Sequence, residues 1–235
     1  VLSLTNTNGI VAYNEKDILI RNFIKQFITL GVKNILRSQN KAWGFHEIEG
    51  SCLISNDQIN PEYSESDYFK ISDTLSLKPE TTALSYAYAN QLLTLSHKPP
   101  LCVFQASKSF RKEQDQATKH CRFKEFFQLE FQCIYSISTK NEYQENVIKD
   151  LGNLVLELLK LPTRIVTSDR LPSYSLNTLD IEVNNGDKWM EVCSVSKRTD
   201  FSSDHFVLEI AFGLDRLLYN FNQATNNLIL ETENE

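Results

Sequence analysis

Two neighbouring segments, residues 101–113 (LCVFQASKSFRKE) and 121–136 (CRFKEFFQLEFQCIYS), constrain the fold more than any other part of the chain. The first is an apolar run turning polar. The second closes on alternating aromatics and acids, the period of two that marks a strand. Residues 114–121 between them read as a loop. Arg111, Glu113, Arg122, Lys124 and Glu125 are framed here by Phe110, Phe123, Phe126 and Phe127. A solvated hairpin accounts for the charges but not the aromatics, and a core hairpin accounts for the aromatics but not the charges. A surface that grips a planar, anionic ligand accounts for both.

The flanking sequence mixes helical and extended periods. Residues 15–38 place Ile20, Phe23, Ile24, Phe27, Leu30 and Ile35 at helical spacing. A strand is expected over 45–54, a polar loop over 55–66 and a short hairpin before Pro79. A second helix is expected over 83–95, ended by Pro99 and Pro100. A third helix is expected over 141–161, with Asn141 near its cap. TRIVTS, LDIEVNN and KWMEVCSVS read as strands, the last two joined at Asn185-Gly186. A final strand over 206–211, a break at Gly213 and a helix complete the chain. Antiparallel strand signals interleaved with helices predict an α+β fold, a mostly antiparallel β-sheet flanked by helices, in one domain over residues 1–235.

Bulk properties narrow the function. Of the 235 residues 41% are hydrophobic, enough for a sizeable core. The net charge of −6 argues against nucleic-acid binding through a broad basic surface. Five cysteines without a CxxC pair point away from a zinc ribbon or disulfide framework, and toward a reducing, cytoplasmic setting. No apolar run is long enough to span a bilayer, so no membrane association is expected. The four histidines do not cluster in sequence.

FRKE…RFKEFFQLE resembles motif 2 of the class II aminoacyl-tRNA synthetases, and EIAFGLDRLL resembles their motif 3. LSLKPETTALSYAYANQLL and WMEVCSVSKRTDF are similar to the glycyl-tRNA synthetase branch, which carries an R/K-P-E-T loop before motif 2 and an E-x-x-G-I-A-x-R-T-D-F segment before motif 3. The resemblance runs in the family's order from Trp43 to Leu218. It implies an ATP-dependent ligase that uses Mg2+, forms an aminoacyl-adenylate from glycine or another small amino acid, and passes the acyl group to tRNA.

That chemistry is mostly positioning and charge stabilisation. By the resemblance, Arg111 and Arg216 are the catalytic cations, Arg111 bridging the α-phosphate and the amino-acid carboxylate. Phe126 stacks on adenine, with Arg216 over its other face and reaching the γ-phosphate. Arg122 meets the triphosphate tail, Glu113 accepts from the adenine amino group or the tRNA end, and Gly213 lets backbone approach the nucleotide. Glu191 and Glu209 are the candidates to hold Mg2+. Glu80 takes the substrate ammonium, with Arg198 and Ala211 shaping the amino-acid pocket. Each residue also has a plainer reading: Arg111–Glu113 as a cross-strand ion pair, Phe126 as core, Glu80 as a capping acid.

The chain departs from the family pattern in places. Ser51 stands where motif 1 has proline, Ile210 and Ala211 replace a Pro-Ser pair, Lys124 replaces arginine, and Ser194 replaces glycine. Residues 217–235 leave no room for the usual anticodon-binding domain, and the chain lacks an initial Met, so a processed or longer product is an open expectation. Two alternatives follow: aminoacylation of a non-tRNA acceptor, or a non-catalytic paralog acting as a binding or regulatory subunit. A homodimer built on the helix at 15–38 is also expected.

Overall fold

The computed structural model describes residues 11–112, 121–137, 143–186 and 188–232, leaving aside the side chains of 143–144 and 226–232. Helix α1 (Glu15–Gln39) begins at Asn14, whose side chain accepts the Asp17 amide at 2.8 Å. That bond satisfies one of the donors a helix start leaves open. Its inner face carries Ile24, Ile28, Val32 and Leu36, all fully buried at four-residue spacing.

The single strand expected at 45–54 is two strands in different sheets. β1 (Gly44–Glu47) lies parallel to β4 (Leu101–Phe110), whereas β2 (Leu53–Ser55) pairs antiparallel with β3 (Leu75–Leu77). The last bond to β4 is Ile48 N to Phe104 O, after which the chain crosses the Gln105 side chain. Gly50 makes that crossing feasible, since a Cβ there would lie 2.6 Å from Gln105 Oε1.

Helix α2 (Thr82–Thr94) ends before the two prolines. Ser96, at φ 68°, turns the chain so that the Leu95 and His97 amides close on Gln91 and Leu92 carbonyls. β4 and β5 (Glu125–Ser136) then form the long antiparallel pair the sequence predicts, from Leu101↔Ile134 to Phe110↔Glu125. Residues 113–120, including Glu113 and most of the expected loop, lie outside the described residues, as does the Asn141 cap. Helix α3 (Tyr143–Leu159) precedes β6 (Thr163–Thr167), β7 (Ser175–Asn184), β8 (Trp189–Ser202) and β9 (His205–Gly213). The Asn185-Gly186 turn has Gly186 at φ 98°. Gly213 does not break the chain: it is the last strand residue, and α4 (Leu214–Thr232) starts immediately after it.

Among the described residues the larger sheet has seven strands, ordered β1-β4-β5-β9-β8-β7-β6 and antiparallel except for β1 with β4. Strand alternation then divides the sheet chemically. Leu129, Phe131 and Cys133, with Leu208, Ile210 and Phe212, point to the face covered by α1, α3 and α4 and form the main core. The residues between them, Gln128, Glu130, Gln132, Glu209, Ala211 and Gly213, point to the opposite face. Most of that face is closed to water yet polar, and buried polar groups are costly unless paired. This is where a site is expected.

Candidate active site

A cavity of about 260 Å³ opens on the polar face of β5, β9, β8 and β7. Its floor is a network of carboxylates. Glu130 (2% exposed) accepts from Gln128 Nε2 at 2.6 Å and from Gln132 Nε2 at 2.7 Å. The second N–H of Gln132 reaches Glu209 at 2.7 Å, and the Thr82 hydroxyl lies between Glu130 (2.9 Å) and Glu209 (3.2 Å). Arg198 (1% exposed) donates from Nη1 to Glu209 at 2.7 Å and grips Asp200 through Nε and Nη2. Glu80, from the turn before α2, stands 3.8 Å from Arg198.

Three carboxylates therefore line the cavity floor, Glu130, Glu209 and the less buried Glu80, with Arg198 hydrogen-bonded to Glu209 and 3.8 Å from Glu80. Burial raises the Glu130 pKa to about 7, helped by the charges of Glu209 and Glu80. Burial raises Glu80 as well, against the pull of Arg198. Burial alone would lower Arg198, but Glu209, Asp200 and Glu80 hold it charged more firmly than a free guanidinium. The floor has the electrostatics of a cation acceptor.

The mouth is built differently. Arg111, just past β4, donates its Nε–H to the Pro79 carbonyl at 3.0 Å, with its guanidinium 5.2 Å from the Phe126 ring and 5.5 Å from the Tyr63 ring. Arg216, in the first turn of α4, bonds the Glu191 carbonyl at 2.9 Å and pairs with its carboxylate at 3.2 Å. The preceding Asp215 fixes that helix start by accepting the Phe127 amide and the Tyr13 hydroxyl, each at 2.7 Å. Exposed Arg122 lies at the rim, and Arg170 lines the cavity from the β6–β7 connection.

The structure brings together Glu80, Arg111, Arg122, Phe126, Glu191, Glu209, Ala211, Gly213 and Arg216 around this cavity. Arg198 stands behind the carboxylates, acting on the pocket through Glu209 rather than lining it. Glu191 and Glu209 line the same cavity at different places: Ser196, not Glu191, pairs with Glu209, and Glu191 lies five residues before Ser196 on β8, across a register shift. Among the described residues no three His, Cys, Asp or Glu side chains converge as a metal site. A Cβ on Gly213 would meet nothing closer than Arg216 at 3.6 Å, so protein packing alone does not require glycine there. Glu130, Gln132, Thr82 and Tyr174, whose ring lies 4.0 Å from the Arg198 guanidinium, also belong to the site, although the sequence assigned them no role. Glu130 and Gln132 were within reach, because FQLEFQ places polar side chains at every second position of a buried strand. Thr82 and Tyr174 come from distant segments and left no local signal.

No protein-family model matches the chain. A glycine–tRNA ligase of Mycolicibacterium paratuberculosis is 31% identical over 64% of this chain, which spans 34% of that protein. A serine–tRNA ligase of Borrelia recurrentis is 29% identical over 75% of this chain and 45% of its own length. The chain thus spans a third to a half of these relatives. The solved prolyl-tRNA synthetase of Cryptosporidium parvum, complexed with L-proline and AMP, superposes with a TM-score of 0.73 over 94% of this chain and 48% of its own, at 12% identity. That likeness establishes the fold. Among the described residues no helix is long and apolar enough to cross a membrane.

Proposed function

We propose, from the premise that this chain carries a class II aminoacyl-tRNA synthetase catalytic core, that it activates a small α-amino acid with ATP and passes the acyl group to tRNA. One observation carries the reading: a single cavity holds several arginines at its mouth, Arg111 among them lying between aromatic rings, and an under-compensated carboxylate floor. A zwitterionic amino acid beside a nucleotide triphosphate needs both.

In the proposed step the amino-acid carboxylate attacks the α-phosphorus in line. A new P–O bond forms, the bond to the bridging oxygen breaks, and pyrophosphate leaves with that electron pair. Arg111, braced by Pro79 between Tyr63 and Phe126, orients the carboxylate against the phosphate and offsets charge developing there. Phe126 offers its ring to adenine, and Arg216, on a helix start tied down by Asp215, reaches the phosphate tail. Arg122 and Arg170 add positive charge at the rim. Glu80, Glu130 and Glu209 take the ammonium, and Ala211, flanked in register by Glu130 and Ser194, keeps the side-chain space small.

Mg2+ is placed at Glu191 with Asp180 rather than at Glu209: the Glu191 carboxylate is 42% exposed and meets Arg216 through one oxygen, whereas the buried Glu209 carboxylate is held by Arg198, Gln132 and Thr82. Asp180 has one buried oxygen that nothing among the described residues donates to, and the charge of Glu191 helps raise its pKa after burial. When bound, a hard cation there supplies charge neutralisation for the phosphates. Leu19, Phe23 and Leu30, exposed along α1, support pairing of two copies, which sedimentation would test.

The deciding experiment is amino-acid-dependent ATP–pyrophosphate exchange across the twenty amino acids, with glycine and serine first. Exchange with a small amino acid is expected. Folded protein that exchanges with none of them overturns the reading.

A further inference from the structure

The β4–β5 pair has a second cavity against its other face. Arg111 and Phe126 serve the site just described, whereas Lys108, Phe110, Glu125 and Phe127 lie on the helix side. There they meet α1 and the segment running into β3 around a space of about 480 Å³. Val11, Ile18, Phe69, Leu77, Phe110 and Phe127 give it apolar walls. Its volume falls in the range of small-molecule pockets.

The charges in these walls are one-sided. Arg21, Lys108 and Lys124 line the cavity against a single carboxylate, Glu125, which is ion-paired with Lys108. Arg21 lies 3.8 Å over the Phe127 ring and 4.9 Å from the Tyr13 ring, and its buried Nη1 has no hydrogen-bond partner among the described residues. A buried guanidinium nitrogen without an acceptor is costly; Arg21 as a whole is only half-buried, and a turn of its guanidinium toward an anion in the cavity would give that nitrogen an acceptor. In a chain with a net charge of −6, a partly buried positive excess beside aromatic walls is a specific arrangement.

We propose that this cavity is a second binding site, for a small aromatic anion: a carboxylate or sulfonate facing Arg21 and Lys124, with its ring among Phe69, Phe110 and Phe127. The site is separate from the ligase cavity, although Phe127 is common to both walls. Its occupancy does not depend on whether the chain is a ligase.

The probe is 1-anilinonaphthalene-8-sulfonate, followed by fluorescence titration of the folded protein. One saturable site is expected, retained in excess ATP. Arg21→Met removes the charge while keeping the stem, and is expected to weaken binding about tenfold, the loss of one charge-assisted contact. Leu77→Trp fills the cavity from a different wall and is expected to abolish binding; circular dichroism confirms the fold of each variant, and either alone is a sufficient test. Equal binding by wild type and variants, or full displacement by ATP, overturns the proposal. So does exclusion of the dye from a dimer that Leu77→Trp dissociates, because a second copy would then be the occupant.

Discussion

The floor and the mouth of the candidate active site solve opposite problems. The floor is closed to water, so each charge is held by short bonds: Glu130 by two glutamines, Glu209 by Arg198 and Gln132, Arg198 by three acids. The mouth stays partly open, and its arginines rest on ring faces and backbone carbonyls. Buried ionic networks depend on every partner, whereas solvated stacking tolerates rearrangement. Stability should therefore reside in the floor and catalytic positioning in the mouth.

The largest expected effect tests the floor. Arg198→Met leaves Glu209 and Glu80 buried without their cation, and is expected to destabilise the fold by about 3–5 kcal/mol, roughly ten degrees in melting temperature. A loss of only a degree or two would show that the floor is not a cooperative network. Arg111→Ala is expected to do the reverse, lowering the exchange rate about a thousandfold with little change in melting temperature. A comparable loss of stability would erase the distinction between floor and mouth.

Glu130 sharpens the comparison through pH. Its folded pKa of about 7 lies above its ordinary 4.5, so between those values the folded chain binds a proton that the unfolded chain does not. The resulting stability is fully present below about pH 4.5 and is lost as pH rises through 7, at most about 3 kcal/mol. Burial also raises Asp215, to about 6, which acts in the same direction. Melting at pH 5.5 is therefore expected above melting at pH 8, and Glu130→Gln should reduce the difference. In exchange assays the amino-acid KM should fall from pH 6 to pH 8, because an arriving ammonium prefers the carboxylate. A KM independent of pH would separate Glu130 from substrate binding. The smallest effect is expected from Ala211→Ser, about two- to fivefold in amino-acid KM, the scale of one exposed hydrogen bond. A change above tenfold would place residue 211 against the substrate.

The same alternation that made β5 recognisable also sorted its side chains. FQLEFQ fixes which residues share a face, so the grouping of Glu130 with Gln128 and Gln132 was latent in the string. That Phe126 lines only the first of the two cavities, while Phe127 points to the helix side and borders both, follows from the same period. The split of residues 44–55 into strands of two sheets was not legible, because it depends on Gln105 crowding Gly50 from another strand. Nor was the separation of Glu191 from Glu209, which depends on the β8–β9 register. Local pattern cannot encode register, since any shift by two preserves it.

By itself, then, the sequence determined the helices and the long strands, their polar and apolar faces, and the clustering of arginines and aromatics at 109–127, because these follow from periodicity and composition over short distances. The tertiary structure alone decided that Arg198 stands behind Glu209 instead of facing the cavity, that the charge of Glu191 acts on buried Asp180, and that α1 closes a second, cationic cavity behind the β4–β5 pair. Those outcomes rest on which distant segments meet, and burial then sets the charge state each group prefers.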